Sequence, residues 1–467
     1  MSHASTKEPR IAFLRSHGRK SVVIAALLCA SLLLLGCDVK SNTSPKKSDL
    51  AVVISGDTAG WLTPCGCTSN QSGGLLRRAT YLKSQRAGGD VIYLDAGGAP
   101  GGTSEYHKVR FEAILAGEAL MNVAAHNVGG REAALGAAYL REAASRLHVP
   151  LVSANARDRS GNLIFEPLKI VSAGGMRVAV VGVLDPKYAA GDIAIDDPRR
   201  AISTALANVK GEYDSAIVLA YLSEQSLEQL ATELPEADAV IGGPTGQAIS
   251  PHRAGPVLLG AATNKGKFLV RLEHGGSGWS GQVVEMNGDY ADDPQQQANV
   301  KTYLARLAER DFAAAETGLA APLPPNVPAD YRIAGSQSCR DCHKADDKLW
   351  HDSKHSHAIE VLNERGMQVD PFCLSCHTTG YGLTGGFISL KRSADLVGVG
   401  CENCHGPSAA HVSDPKIKTP FAASDQCARC HDHENSPKFV YSRYWKKIEH
   451  GKEKATIPAK ASAEVQP

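Results

Sequence analysis

The chain lacks an excess of either charge: 50 Lys and Arg stand against 49 Asp and Glu in 467 residues, a formal net charge of +1. That balance excludes a general nucleic-acid binder, which needs a basic face to neutralise phosphates. Compositional bias is missing too. A hydrophobic content of 43% with 6% aromatics suits a soluble globular protein of two or three domains and excludes fibrous or disordered classes. Nor is there an apolar run long enough to span a bilayer comfortably, since the longest, Ser21 to Gly36, stops at Cys37.

That run has the order of an export signal: Arg15, Arg19 and Lys20 before it, Cys37 and Asp38 after it. Its Leu34-Leu35-Gly36-Cys37 ending resembles the bacterial lipobox, in which the Cys becomes the acylated first residue. The expectation is a lipoprotein signal peptide over 1–36, lipidation at Cys37 and a polar tether over 37–49. The protein would then be exported and lipid-anchored to a bacterial membrane, facing the periplasm or cell surface. The competing reading of Cys37 is a small buried thiol after an ordinary signal. Cys29 lies inside the signal.

Cysteine is where the chain is unusual. Eight of its 12 Cys fall in four C-x-x-C-H pentads: Cys339-Cys342-His343, Cys373-Cys376-His377, Cys401-Cys404-His405 and Cys427-Cys430-His431. This pattern is a covalent c-type haem site. The two thiols add to the haem vinyl groups, and the adjacent His is delivered to the iron as proximal ligand. Zinc ribbons or a disulfide set are the alternative. Haem attachment also occurs outside the bacterial cytoplasmic membrane, in agreement with the export signal. Haem propionates would make the loaded region more acidic and favour redox partner proteins, donor and acceptor, with basic docking patches.

Residues 50–286 alternate short apolar runs such as Leu50–Ser55, Val91–Asp95, Met176–Leu184 and Ser215–Tyr221 with amphipathic stretches. The pattern predicts an α/β layered sandwich, with helices over Gly73–Gln85, Glu105–Ala124 and Ser223–Leu234. Residues 287–332 read as a helical and Pro-rich linker. Residues 333–450 hold ten of the chain's 17 His and few apolar runs, which predicts a mostly α/irregular multihaem cytochrome c domain whose haems supply the core. A disordered tail is expected over 451–467.

The sandwich region resembles the metallophosphoesterase domain of 5-prime nucleotidases, minus most of that family's metal ligands. Its D-x-H motif is Asp57-Thr58-Ala59, and Gly98 stands where the bridging Asp belongs. G-N-H-E becomes Gly129-Gly130-Arg131-Glu132, the following His is Tyr221, and the closing G-H-T-H reads Gly243-Pro244-Thr245-Gly246. One retained ligand, Asp57, cannot hold two metal ions, so the expectation is a catalytically dead scaffold. Cys65 and Cys67 follow the first motif. They read equally as a soft-metal or redox site, with His107 or His126 as partners, and as a loop-stabilising thiol pair. Arg77 and Arg78 read as exposed, solvated helix residues, with anion binding as the alternative.

Residues 333–450 resemble the tetrahaem cytochrome c-554-like family that accepts electrons from hydroxylamine oxidoreductase. The resemblance rests on Gly335-Ser336-Gln337-Ser338, Lys354-His355-Ser356-His357, the run Thr378 to Gly382, His405-Gly406-Pro407 and the Tyr444-Trp445 to His450 segment. It implies four covalently bound haem c groups, with His355 or His357, His411 and His450 as distal iron ligands. His351 and His433 read as surface residues and Met367 as packing. If three distal His are used, one iron is left five-coordinate. The resulting expectation is a membrane-anchored electron carrier. Alternatives are an oxidoreductase acting on a small nitrogen or sulfur species at an open haem, a remaining phosphoesterase, and a binding module.

Overall fold

The computed structural model describes residues 50–451 apart from 65–70, 277, 324–326, 329, 420–422 and 433–434. The signal, Cys37, Cys65, Cys67, His433 and the tail from 452 lie outside the described residues. No described helix is long and apolar enough to cross a membrane.

Two six-stranded sheets face each other. The first runs Gly278–Glu285, Phe268–Gly275, Ala51–Ser55, Val91–Asp95, Ala125–Asn127 and Leu151–Val152 from edge to edge. The second runs Ile249–Ala254, Val257–Ala261, Ala239–Gly243, Ser215–Tyr221, Met176–Leu184 and Leu168–Ala173. Each keeps four parallel strands and adds antiparallel partners outside them. The sequence explains why parallel strands are buried on both faces. Side chains alternate across a strand, so Val178 and Val180 enter the core between the sheets while Ala179 and Val181 enter the core under the outer helices. Ile217 and Leu219 against Ala216 and Val218 repeat the division.

The helices Leu76–Gly88, Glu105–Leu120 and Ala137–Leu147 cover the first sheet, and Pro198–Asn208 and Glu224–Glu233 the second. Glu105–Leu120 starts at Ser104, whose hydroxyl caps the His107 N–H. Two helices, Ala137–Leu147 and Pro198–Asn208, and two edge strands, Leu168–Ala173 and Ile249–Ala254, escaped the sequence reading.

The stretch read as a linker contains a structural helix. Pro294–Arg310 buries Val300, Tyr303 and Leu307 in the same core as Glu105–Leu120, and Gln296 and Asn299 donate to the carbonyls of Gly117 and Ala113 at 2.9 and 2.8 Å. Its apolar positions recur at helical spacing, in keeping with the helical reading of this stretch. Beyond it, residues 333–451 form short helices and loops around a small cluster of Leu362, Leu374, Tyr381 and Phe387.

Candidate metal centre

At the sandwich mouth, Asp57 sits after Ala51–Ser55 with φ +48°. Its Oδ2 accepts from Thr263 Oγ1 at 3.0 Å and Asn264 N at 3.4 Å, while Arg131 Nε lies 3.7 Å from Oδ1. Burial pushes the Asp57 carboxyl above its ordinary range, against the opposing charge of Arg131. The replaced motif positions are linked in space. A Cβ at Gly98 would lie 2.7 Å from the Tyr221 ring and one at Gly129 also 2.7 Å from it, while one at Gly130 would lie 2.4 Å from Tyr188. The tyrosine rings therefore fill the room a bridging carboxylate would need. Tyr188, Tyr221, Arg131 and Pro244 line a cavity of about 350 Å³ in front of them.

Behind this mouth lies a group the sequence reading missed. Asp95, Glu118 and His126 bring their ligand atoms within 4.8 Å of one another, all buried. Arg78 was expected on a solvated face. It is instead fully buried, with Nη1 3.7 Å from Asp95 and 4.0 Å from Glu118. Leu75, Arg78, Ala79 and Leu82 share one helical stripe, so the pattern did point inward. His126 Nδ1 lies 2.7 Å from Glu118 and Nε2 lies 3.4 Å from Glu132. Burial pushes Glu118 up to about 7 against the pull of His126, and the Glu118 and Asp95 carboxylates raise His126 despite its burial. With a guanidinium among the carboxylates, this is a buried ion network in which Arg78 supplies a cation of the chain's own.

The two His proposed as partners of Cys65 and Cys67 are both engaged. His126 is spent in that network. His107 Nδ1 bonds Ser104 Oγ at 2.8 Å, and burial lowers its pKa to about 4.

In the attachment region the eight motif cysteines are all half-buried. Motif helices begin where the sequence caps them: Asp370 accepts from Phe372 N at the start of Pro371–His377, and Asn403 closes back onto Gly400 N at Cys401–His405. Thiols of different motifs meet, Cys339 bonding Cys401 and Cys376 bonding Cys430. The first motif thus lies against the third and the second against the fourth. Glu402, buried between them, accepts from Ala334 N, Gly335 N and Ser408 N at 2.8, 2.8 and 2.7 Å.

The histidines sort into pairs. Ring centroids of His343 and His411 are 6.3 Å apart, His355 and His431 6.1 Å, and His405 and His450 5.6 Å, the last with Nε2 atoms at 3.3 Å. An iron between two imidazoles needs nitrogens about 4 Å apart, from two bonds of about 2 Å, and ring centres about 2 Å further still. Ring centres of the first two pairs fit that separation and the third is slightly compressed; His351 and His357, at 5.9 Å, fall in the same range without a motif histidine. His411 Nδ1 donates to Ile417 O at 2.8 Å, His450 Nδ1 to Ile448 O at 2.7 Å and His377 Nδ1 to Ala358 O at 2.5 Å. Each bond fixes the ring and presents Nε2 as the free donor. Burial lowers the pKa of His355, His377, His405 and His431, favouring the neutral imidazole that binds metal.

His357 is placed otherwise. It is exposed, with Nδ1 on Glu360 at 2.9 Å and Nε2 on the His351 carbonyl at 3.0 Å, so of the two neighbours only His355 faces a motif histidine. Among the described residues no histidine ring stacks against His377 in the same manner. These donor sets fit haem c.

Residues 338–406 match the family model described as cytochrome c554 and c-prime. This segment is cytochrome c-554-like. The match covers three motifs, and the fourth, at Cys427, lies beyond it. Cytochrome c-554 of Nitrosomonas europaea is 30% identical over 148 residues, an alignment covering 24% of this chain and 63% of that protein. The chain thus spans under two thirds of the curated relative it matches. For the sandwich, a 5'-nucleotidase precursor of Thermus thermophilus superposes with a TM-score of 0.50 at 18% identity, covering 75% of this chain and 73% of the other. A sulfate thiohydrolase, SoxB, from the same organism gives 0.49 at 18%, covering 57% and 62%. The c-554-like segment is therefore joined to a metallophosphoesterase-like fold, as the motifs led one to expect.

Proposed function

We propose that this protein is an exported, lipid-anchored electron carrier holding four haem c groups, one at each C-x-x-C-H motif, and that its sandwich is a scaffold without hydrolase activity. The observation that carries this reading is the set of three facing imidazole pairs. His343 with His411, His431 with His355 and His405 with His450 would each clamp one iron axially, and bis-imidazole ligation suits low-potential, one-electron transfer.

When bound, the haem irons supply reversible one-electron chemistry. The chain's own residues do the rest. The thiols hold each group in place, the Nδ1 bonds orient the rings, and Glu402, accepting from Ala334 N, Gly335 N and Ser408 N, keeps the first and third attachment points close. Tunnelling decays steeply with distance, so that closeness favours transfer within the region. Redox donor and acceptor proteins outside the cytoplasm are the implied partners.

A second reading has its own observation. His377 lacks a facing histidine among the described residues, so the second site would be five-coordinate and open to a small nitrogen, oxygen or sulfur ligand. For the sandwich, Arg131 already pairs with Asp57, and Tyr221 occupies the space beside Gly98, which supports loss of two-metal hydrolysis.

Intact-mass measurement of the purified, denatured protein should find four covalent haems and metal analysis four irons per chain. Fewer than four would contradict the assignment. Phosphomonoesterase turnover with added manganese, abolished by Asp57→Ala, would contradict the scaffold reading. Loss of membrane partitioning on Cys37→Ser is expected of a lipid anchor, and retained partitioning would remove it.

A further inference from the structure

We infer that the sandwich sets the redox poise of the second attachment site through two opposed buried charges, Arg110 and Asp370, which act as positioning residues for the group held by Cys373, Cys376 and His377. The inference rests on reading those three residues as a haem site.

The helix that carries the second motif, Pro371–His377, is gripped by the sandwich. Asp370 caps it, accepting from Phe372 N at 2.9 Å, and is only 2% exposed. Its Oδ1 accepts from Tyr106 Oη at 2.8 Å, and its Oδ2 from Tyr303 Oη at 3.1 Å. Tyr106 Oη in turn accepts from Arg110 Nη1 at 2.9 Å. Tyr106 and Arg110 belong to Glu105–Leu120 and Tyr303 to Pro294–Arg310, so both helices converge on one carboxylate of the attachment region. The Arg110 guanidinium stands 5.0 Å from the Phe372 ring centre, and Trp61 packs edge-on against the same ring at 5.1 Å. Phe372 immediately precedes Cys373.

A cation beside a buried iron favours the reduced state and a carboxylate the oxidised one, because each changes the electrostatic energy of adding an electron. Both groups here are sheltered from solvent, so salt screens them little. Burial would lower the Arg110 pKa, but Tyr106, Tyr303 and Asp370 raise it on balance, so its charge persists across the working pH range. Arg110 Nε has no hydrogen-bond partner. A side chain kept charged with part of its fork unbonded is costly if its role is packing alone.

The two charges oppose each other, and this makes the inference separable from a structural role. In the haem-loaded full-length protein, Arg110→Met leaves Asp370 uncompensated and should lower the midpoint potential of one haem. Asp370→Asn leaves Arg110 uncompensated and should raise the potential of that same haem. Each change should alter its reduced-to-oxidised ratio at fixed poise at least tenfold, or about 59 mV for one electron, with the other three unmoved. Arg110→Lys keeps the charge and should restore most of the wild-type value even though the fork is lost.

Potentiometric titration followed by optical and electron paramagnetic resonance spectra reads this. Shifts of the same sign in both variants, shifts spread over all four haems, or no shift would overturn the inference. If Arg110→Met does not load haem, Arg110→Gln against Arg110→Lys makes the same comparison. Failure of the underlying reading shows up separately, as a peptide containing Cys373 and Cys376 without covalent haem.

Discussion

In the sandwich, the strand Met176–Leu184 buries eight of its nine residues, and Ser215–Tyr221 buries all seven. In the attachment region, the helices Lys344–His351, Ala409–Ser413 and Tyr441–Trp445 bury none. The first region is held by its own apolar side chains. The second is a frame of capped helices, carbonyl-anchored histidines and thiols, with apolar packing confined to the few residues around Leu374 and Phe387. A frame of this kind depends on what it binds, because too little apolar surface is removed from water to offset chain entropy. The two therefore differ in what each needs in order to fold, and not only in architecture.

The most direct way to break that comparison is to make the protein without haem. Residues 333–450 should then lose hydrogen-exchange protection almost completely while the strands of 50–286 keep theirs. Equal protection in both would show that the attachment region has a sufficient core of its own. Next in size is Arg78→Met, which strands Asp95 and Glu118 in the sandwich interior. It should cost about 3–5 kcal/mol, measured by denaturant unfolding of the sandwich signal. A loss near zero would mean the network is not an ion network.

Glu402→Ala should be milder, about 1–3 kcal/mol, since it orphans three backbone N–H groups at the join of the first and third motifs. Exchange should quicken at Ala334, Gly335 and Ser408 and leave the sandwich untouched.

The same Arg78 network also predicts a pH dependence. Burial lifts the Glu118 carboxyl from its ordinary 4.5 to about 7, so the folded state holds its proton more tightly than the unfolded state does. A raised pKa of this sign contributes stability that is present below about 4.5 and is lost as pH climbs to about 7. Glu118→Gln removes that slope, so its melting temperature should gain on wild type across that window. A parallel pair of curves would contradict the assignment.

Much of the sandwich was legible because its strands are continuous apolar runs whose alternate residues enter two cores, a signal that survives in a single sequence. Edge strands such as Leu168–Ala173, only half buried, lack it. The helix Pro294–Arg310 was legible as a helix, but its packing into the sandwich was not, because its polar face dominates its composition while only Val300, Tyr303 and Leu307 mark the buried stripe. Within the candidate centre, the four C-x-x-C-H motifs were legible because their spacing is local to the chain. Which histidine faces which motif was not, since those pairs lie as far apart as His343 and His411 or His355 and His431. Separating His355 from His357 needed the Glu360 and His351 contacts. Arg110 and Asp370 gave no local signal at all, their meaning arising only where two sandwich helices meet the second motif.

The central claim is that three facing histidine pairs, and one motif histidine that none faces among the described residues, define the iron sites. Electron paramagnetic resonance of the oxidised, fully loaded protein tests it most directly. The account predicts three low-spin ferric signals from the paired sites and one high-spin signal from the site of His377. Four low-spin signals would show that the second site takes a sixth ligand from elsewhere in the chain, such as His433, and would contradict the account.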